Sequence, residues 1–186
     1  KIAVCHKAVL PGGTLKEDND LFLVNLDGTG EVQLTDTPDV DEGYWSAGQI
    51  AWSPLGDMIA MTTPEDVLVY RIDYIGGQFT ATSLGGIQRV PGSPIAHTLE
   101  IFDVDWANIG YRVVVATSSP EAATYDLWIV DVFNPVNVFR VTSTPLNYER
   151  ECSWSPSDSQ VAYIQGPTSG IWVINADRTG AKQIVA

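Results

Sequence analysis

Apolar and polar positions alternate along most of this chain in short runs of four to eight residues, and no stretch of ten or more shows the 3.6-residue spacing of a helix face. Runs rich in β-branched and aromatic residues recur between Gly, Pro, Asn, Asp and Ser clusters, so each run is predicted to be a strand and each cluster a turn. One phrase sets the period. Ile50-Ala-Trp-Ser-Pro-Leu-Gly-Asp-Met-Ile-Ala-Met returns as Cys152-Ser-Trp-Ser-Pro-Ser-Asp-Ser-Gln-Val-Ala-Tyr-Ile, and in weaker form as Val104-Asp-Trp-Ala-Asn-Ile-Gly-Tyr-Arg-Val-Val-Val. The tryptophans fall at 52, 106 and 154, which are 54 and 48 residues apart.

A second phrase gives the same period. Val24-Asn-Leu-Asp-Gly-Thr-Gly is matched by Ile174-Asn-Ala-Asp-Arg-Thr-Gly, 150 residues on, or three periods of about fifty. Thr35-Asp-Thr-Pro against Thr142-Ser-Thr-Pro, 107 apart, adds a third match at two periods.

Within each repeat the tryptophan closes a strand that enters a tight turn. Pro54 and Pro156 preset φ at the first central position, and Gly56 and Gly110 supply the positive φ that follows. Asp158 stands where Gly56 stands, and aspartate is among the few side chains that tolerate that region. Four antiparallel strands follow one another, A ending at the tryptophan and then B, C and D. Residues 1–9 read as a B strand with no A strand before it, and 21–34 supply C and D. The second unit comprises 49–52, 58–62, 67–72 and 87–90, with a long glycine-bearing connection over 73–86. The third comprises 99–106, 112–117, 127–132 and 136–142, and the fourth 150–154, 160–164, 171–174 and 181–185. The repeats are approximately 1–35, 49–90, 99–142 and 150–186.

Sheets of this kind bury both faces only by stacking radially, so the expected class is all-β: a β-propeller of about four blades, the first lacking its innermost strand. Trp52, Trp106 and Trp154 are then inter-blade packing residues. The unpaired edge of the first blade is an expected route to self-association.

Leu21-Phe-Leu-Val-Asn-Leu-Asp-Gly-Thr-Gly-Glu-Val-Gln-Leu-Thr35, Trp52-Ser-Pro-Leu-Gly and Ile171-Trp-Val-Ile-Asn resemble the WD-like repeats of TolB-type β-propellers. The resemblance spans most of the chain. It departs at Trp106-Ala-Asn-Ile-Gly and in the second unit, which lacks the Asp-Gly-Thr turn. It implies a non-catalytic protein-binding scaffold in an extracytoplasmic place, or alternatively the accessory propeller of a larger hydrolase or peptidase whose catalytic domain lies elsewhere. Such propellers are usually six-bladed, so four units read as an incomplete ring.

Composition then narrows the partners. At 186 residues and 45% hydrophobic the chain can bury a sizeable core, and no apolar run is long enough for a helical membrane span. A net charge of −13 lacks the basic footprint of a nucleic-acid binder. Strand direction puts the D–A and B–C connections on one face. Twelve acids fall there (17, 18, 20, 36, 39, 41, 42, 65, 66, 121, 149 and 151) against Lys16 and Arg150, which assigns −10 of the −13 to that side. Such a face steers a basic protein partner. The expected contacts are Asp39, Asp41, Glu42, Tyr44, Trp45, His97, Tyr148, Glu149 and Arg150.

Catalytic chemistry finds no footing. Gly43-Tyr-Trp-Ser-Ala-Gly48 has the wrong spacing and context for a nucleophile elbow. His6 and His97 are the only histidines, too few for a multi-histidine metal site. No cofactor is implied, although Glu17-Asp-Asn-Asp20 and Asp39-Val-Asp-Glu42 carry oxygen ligands suited to calcium without the spacing of a twelve-residue loop. Cys5 and Cys152 lie in different units, and buried free thiols are expected.

Overall fold

The computed structural model describes residues 1–36, 49–63, 66–87, 101–118, 124–134, 137–144, 147–166 and 170–186, with residues 17 and 18 as backbone only. Fifteen strands fill them, and no helix occurs among the described residues. Blade one is β1 (Ile2–Val9), β2 (Leu15–Val24) and β3 (Val32–Gln33). Blade two is β4 (Ile50–Trp52), β5 (Met58–Thr62), β6 (Val67–Ile75) and β7 (Gln78–Gly86). Blade three is β8 (Ile101–Trp106), β9 (Arg112–Ser118), β10 (Tyr125–Asp131) and β11 (Val138–Arg140). Blade four is β12 (Glu149–Trp154), β13 (Gln160–Gln165), β14 (Gly170–Asn175) and β15 (Lys182–Val185). Each sheet is antiparallel and ordered as the chain runs, so the architecture is the expected all-β stack with a three-stranded first blade.

The central strands of blades two and three are buried on both faces because each face meets a different neighbour. In β9, Val113 and Val115 enter the core shared with blade two, whereas Val114 and Ala116 enter the core shared with blade four. A third core joins Leu21 and Leu23 of blade one to Ile59, Met61, Tyr70 and Ile72 of blade two. The outermost strand β15 is exposed at all four positions.

The turn after each tryptophan closes with the same outer hydrogen bond in all three copies. Ser53 N, Ala107 N and Ser155 N donate to the carbonyls of Met58, Arg112 and Gln160, each at 2.9 Å. Gly56, Gly110 and Asp158 take φ values of 70°, 79° and 55°. The altered wording at Trp106-Ala-Asn-Ile-Gly keeps the positive-φ glycine and the outer bond, but the inner bond that Gly56 N and Asp158 N donate to the Ser53 and Ser155 carbonyls has no counterpart from Gly110 N.

Two expectations are corrected. The stretch 73–86 is not a loop: β6 continues to Ile75, turns through Gly76 and Gly77 at φ 62° and 89°, and returns as β7 in register Tyr74↔Phe79 and Ile75↔Gln78. Two consecutive positive-φ residues make the tight hairpin turn whose twist matches the flanking strands. The fourth strand of this blade is thus 78–86, not 87–90, and 88–90 lie outside the described residues. Likewise, the acids at 17–20 belong to β2 rather than to a loop, with Asp20 opposite His6 and Asn19 opposite Lys7.

Polar bridges lock the innermost strands across blades. The Trp106 indole N–H donates to the Ala51 carbonyl at 2.8 Å. Asp105 accepts from Ser153 Oγ at 3.0 Å and from Trp154 N at 2.8 Å, and Asp103 accepts from Cys152 N. In return, Asp158 accepts from the backbone of Asn108 and Ile109 at 2.7 Å each, capping the turn of blade three from blade four.

Candidate functional site

The face formed by the D–A and B–C connections is built where A and C strands begin, so the residues opening β8, β10 and β12 meet there. Phe102 packs on Tyr125 with ring centroids 4.2 Å apart, and Tyr125 packs on Tyr148 at 5.2 Å. An isolated bridge between Tyr125 and Tyr148 ties blade three to blade four at this point. Tyr148 is 39% exposed, while Phe102 and Tyr125 are half-buried. The Tyr148 ring lies so close to Gly166 that a Cβ there would sit 3.4 Å from it.

The acids of this face divide into buried and exposed. Blades one to three each place an aspartate just ahead of the first core residue of the C strand: Asp20 before Leu21, Asp66 before Val67, Asp126 before Leu127, all almost fully buried. A buried carboxylate needs donors. Asp20 has Lys16 Nζ at 3.0 Å and Gln33 Nε2 at 3.0 Å, Asp126 has Arg140 Nη2 at 2.7 Å, and Asp66 accepts from Val67 N at 2.8 Å.

Glu149 corrects the expected contact set. It is fully buried, accepting from Gln165 Nε2 at 2.8 Å and from the hydroxyls of Thr144 and Thr142, so its carboxylate holds the seam between blades three and four instead of being displayed at the surface. Burial raises its pKa above the usual carboxylate range, with the Asp126 charge acting in the same direction against its hydrogen bonds. Burial and then Glu149 push the nearby Tyr163 phenol up to about 12. With Asp20, Asp66 and Glu149 inside, the share of the −10 displayed at the surface is smaller than strand direction alone implied. Among described residues on this side, Asp36, Arg150 and Glu151 are exposed. Asp39, Asp41, Glu42, Tyr44, Trp45 and His97 lie outside the described residues.

Next to Glu149 a cleft of about 380 Å³ opens between blades three and four, lined by Thr142, Thr144, Tyr163, Gln165 and Trp172 among others. Another, of about 550 Å³, lies between blades one and two at the opposite face, where Lys1 Nζ sits 5.3 Å over the Phe79 ring and Tyr74 packs on Phe79.

Chemically these groups offer aromatic and hydrogen-bonding contacts. His6 is stacked on Phe22 at 3.9 Å and paired with Glu31 at 3.2 Å. Among the described residues no group of three or more His, Cys, Asp or Glu side chains could hold a metal ion, and Cys5 and Cys152 form no disulfide. No helix of the described residues is long and apolar enough to cross a membrane. Tyr148 is among the contacts expected from the sequence, and Phe102 and Tyr125, which the structure stacks beside it, are not. The only available signal was an aromatic at the first or second position of an A or C strand, and their convergence depends on how the blades stack.

No protein-family model matches the chain, and no curated protein matches it. Solved structures do. TolB from Acinetobacter baumannii matches 91% of this chain at a TM-score of 0.58 and 12% identity. A nidogen/laminin complex matches 97% at 0.61 and 9% identity, and dipeptidyl peptidase 4 of Porphyromonas gingivalis matches 97% at 0.55 and 13% identity. This chain spans 38%, 60% and 32% of those chains respectively, less than two thirds of each. At these identities the likeness establishes the fold, which is that of the TolB-like β-propellers.

Proposed function

We propose that the chain is a non-catalytic interaction scaffold that binds a protein partner, outside the cytoplasm, through the face carrying its D–A and B–C connections. The observation that carries this reading is the Phe102–Tyr125–Tyr148 array, which crosses from blade three to blade four and leaves Tyr148 exposed beside Arg150 and Glu151. A rigid aromatic presented on a polar surface is the commonest anchor of protein interfaces. From the sequence, Asp39, Asp41, Glu42, Tyr44, Trp45 and His97, which lie outside the described residues, are expected on this same side, and an acidic set of that kind favours a basic partner. Likeness to a nidogen/laminin complex supports protein binding, and the extracytoplasmic location rests on the TolB resemblance.

Likeness to dipeptidyl peptidase 4 favours a second reading, in which this propeller is the accessory domain of a larger hydrolase. One experiment separates them. The natural partner is identified by crosslinking in the native extract and its affinity is then measured directly by titration. Tyr148→Ala and Tyr125→Ala are expected to weaken binding at least tenfold, and the triple change Asp39→Asn, Asp41→Asn, Glu42→Gln to flatten its salt dependence. Binding untouched by either set removes this face from consideration. Hydrolytic activity in the full-length polypeptide, mapped outside residues 1–186, establishes the second reading.

A further inference from the structure

Blade two departs from the repeat at its C–D hairpin. The C strands of blades two, three and four reach one common level, where Ile72 N donates to the Asp57 carbonyl as Val132 N does to Tyr111 and Ala176 N to Ser159, at 2.8, 2.8 and 2.9 Å. In blades three and four the strand has ended just before that point, at Asp131 and Asn175. In blade two the chain runs on as a two-stranded arm, with Asp73 opposite Thr80, Tyr74 opposite Phe79 and Ile75 opposite Gln78. Directly opposed residues point to the same side of a strand pair, so the Tyr74 and Phe79 rings share one side of the arm. That side looks toward blade one: Phe79 packs on the core joining blades one and two, and Lys1 Nζ lies 5.3 Å over its ring.

The cleft of about 550 Å³ lies between this arm and blade one. Tyr74 is 65% exposed while its ring rests on Phe79 at 4.6 Å, so a propped aromatic ring is presented to solvent. Hydrogen-bonding groups stand around it. Lys1 Nζ is anchored on the Gly30 carbonyl at 3.0 Å and has further donors, the Asn25 amide is held by its bond to Thr29 Oγ1 at 3.2 Å, and Gln78 is exposed at the tip of the arm. Although the chain carries 23 acids, no carboxylate lines this cleft among the described residues.

We propose that the cleft binds a short neutral oligosaccharide, with one pyranose ring stacked on Tyr74 and its hydroxyls bonded to Asn25, Gln78 and Lys1. A pyranose has a C–H face that packs on an aromatic ring and a rim of hydroxyls that each donate and accept, which matches a ring bordered by amides and an ammonium. The volume holds about two or three such rings and falls in the roughly 300–1,000 Å³ range of small-ligand sites. A cationic ligand finds no counter-charge in the lining, and the net charge of −13 opposes a polyanionic one. The site lies on the face opposite to the Phe102–Tyr125–Tyr148 array and is independent of what that array binds.

Isothermal titration of chain 1–186 with neutral pentasaccharides tests this, the probes being those of β-linked glucose, N-acetylglucosamine, xylose and mannose and of α-linked glucose. At least one is expected to bind with a Kd of about 1 mM or tighter. Tyr74→Ala is expected to weaken it at least about tenfold and Gln78→Ala about threefold, while Tyr74→Phe, which keeps the ring face, stays within roughly twofold. Because Tyr74 and Gln78 are exposed, the melting temperatures of these variants should match that of the parent chain, which separates lost binding from lost fold. Failure of every probe at millimolar concentration overturns the proposal, as does binding that Tyr74→Ala leaves unchanged or that Tyr74→Phe abolishes. A Tyr74→Ala change that weakens a protein partner while no saccharide binds overturns it too, and gives the arm to that partner.

Discussion

Asp158 shows how one residue serves two geometries. Its φ of 55° is a position that glycine fills in the equivalent turn of blade two, so Asp158→Gly relieves local strain. It also deletes the carboxylate that accepts from Asn108 N and Ile109 N of the preceding blade. Charge-assisted bonds of this kind outweigh the relief, so the substitution is expected to cost about 1–2 kcal/mol net, read as a lower urea midpoint. Asp103 acts in the opposite sense. Burial raises its pKa to about 6 in spite of the N–H groups of Cys152 and Val104. Because the folded value lies above the unfolded 3.8, folding takes up a proton between the two values. Stability therefore increases as pH falls from about 6 toward 4, by up to about 3 kcal/mol for a shift of this size. Glu149, also raised by burial, contributes with the same sign. Asp27 and Asp177, held low by hydrogen bonds from Thr29 and Thr179, lose their contribution only below the usual carboxylate range. Thermal melts should accordingly peak between pH 4 and 6, and Asp103→Asn should flatten the slope between pH 4 and 7 while leaving the acid limb in place.

At the scale of the element, the hairpins are decided by their turns and by what passes beneath them. Gly12 sits at φ 101° at the tip of the β1–β2 hairpin with open space around it, so Gly12→Ala meets only backbone strain of about 1 kcal/mol. Gly86 in β7 is different. A Cβ there would lie 1.7 Å from the Asp66 carboxylate, which is buried under the strand. Gly86→Ala should cost clearly more than Gly12→Ala, beyond about 2 kcal/mol, because either a ladder or a buried charge must move. Paired urea titrations check the order, and equal losses would mean the strand is free to shift. The β6–β7 hairpin also shows where alternation alone misleads: the pattern from Phe79 to Leu84 is strand-like, but the double glycine ahead of it reads equally as a loop until pairing is seen.

For the whole molecule, the described cores join blade one to two, two to three and three to four, so stability is close to a sum of blade and seam contributions. Asp105 contributes two hydrogen bonds across the seam between blades three and four. Asp105→Ala should therefore uncouple blade four. The expected readout is a urea transition that broadens or splits, with β13 and β14 amides exchanging ahead of β9 and β10. A single transition shifted without loss of slope would show that the apolar core of that seam suffices. Far-UV circular dichroism should show no appreciable helix, as expected of fifteen strands.

The sequence by itself determined the fold class, the fifty-residue period and the turns after Trp52 and Trp154. All of these are local: alternation sets which residues share a face, and Pro, Gly and Asp set the turns over four or five residues. Only the tertiary structure decided which charges are exposed. Asp20, Asp66 and Glu149 read as surface acids until stacked blades enclose them, Asp20 beside Lys16 and Glu149 beside Thr144 and Gln165. The same holds for the Phe102–Tyr125–Tyr148 array and for the carboxylates that cross between blades. Their partners lie some twenty to fifty residues away in the chain, beyond the reach of any local pattern, and burial and pKa follow from those neighbours rather than from the residue type.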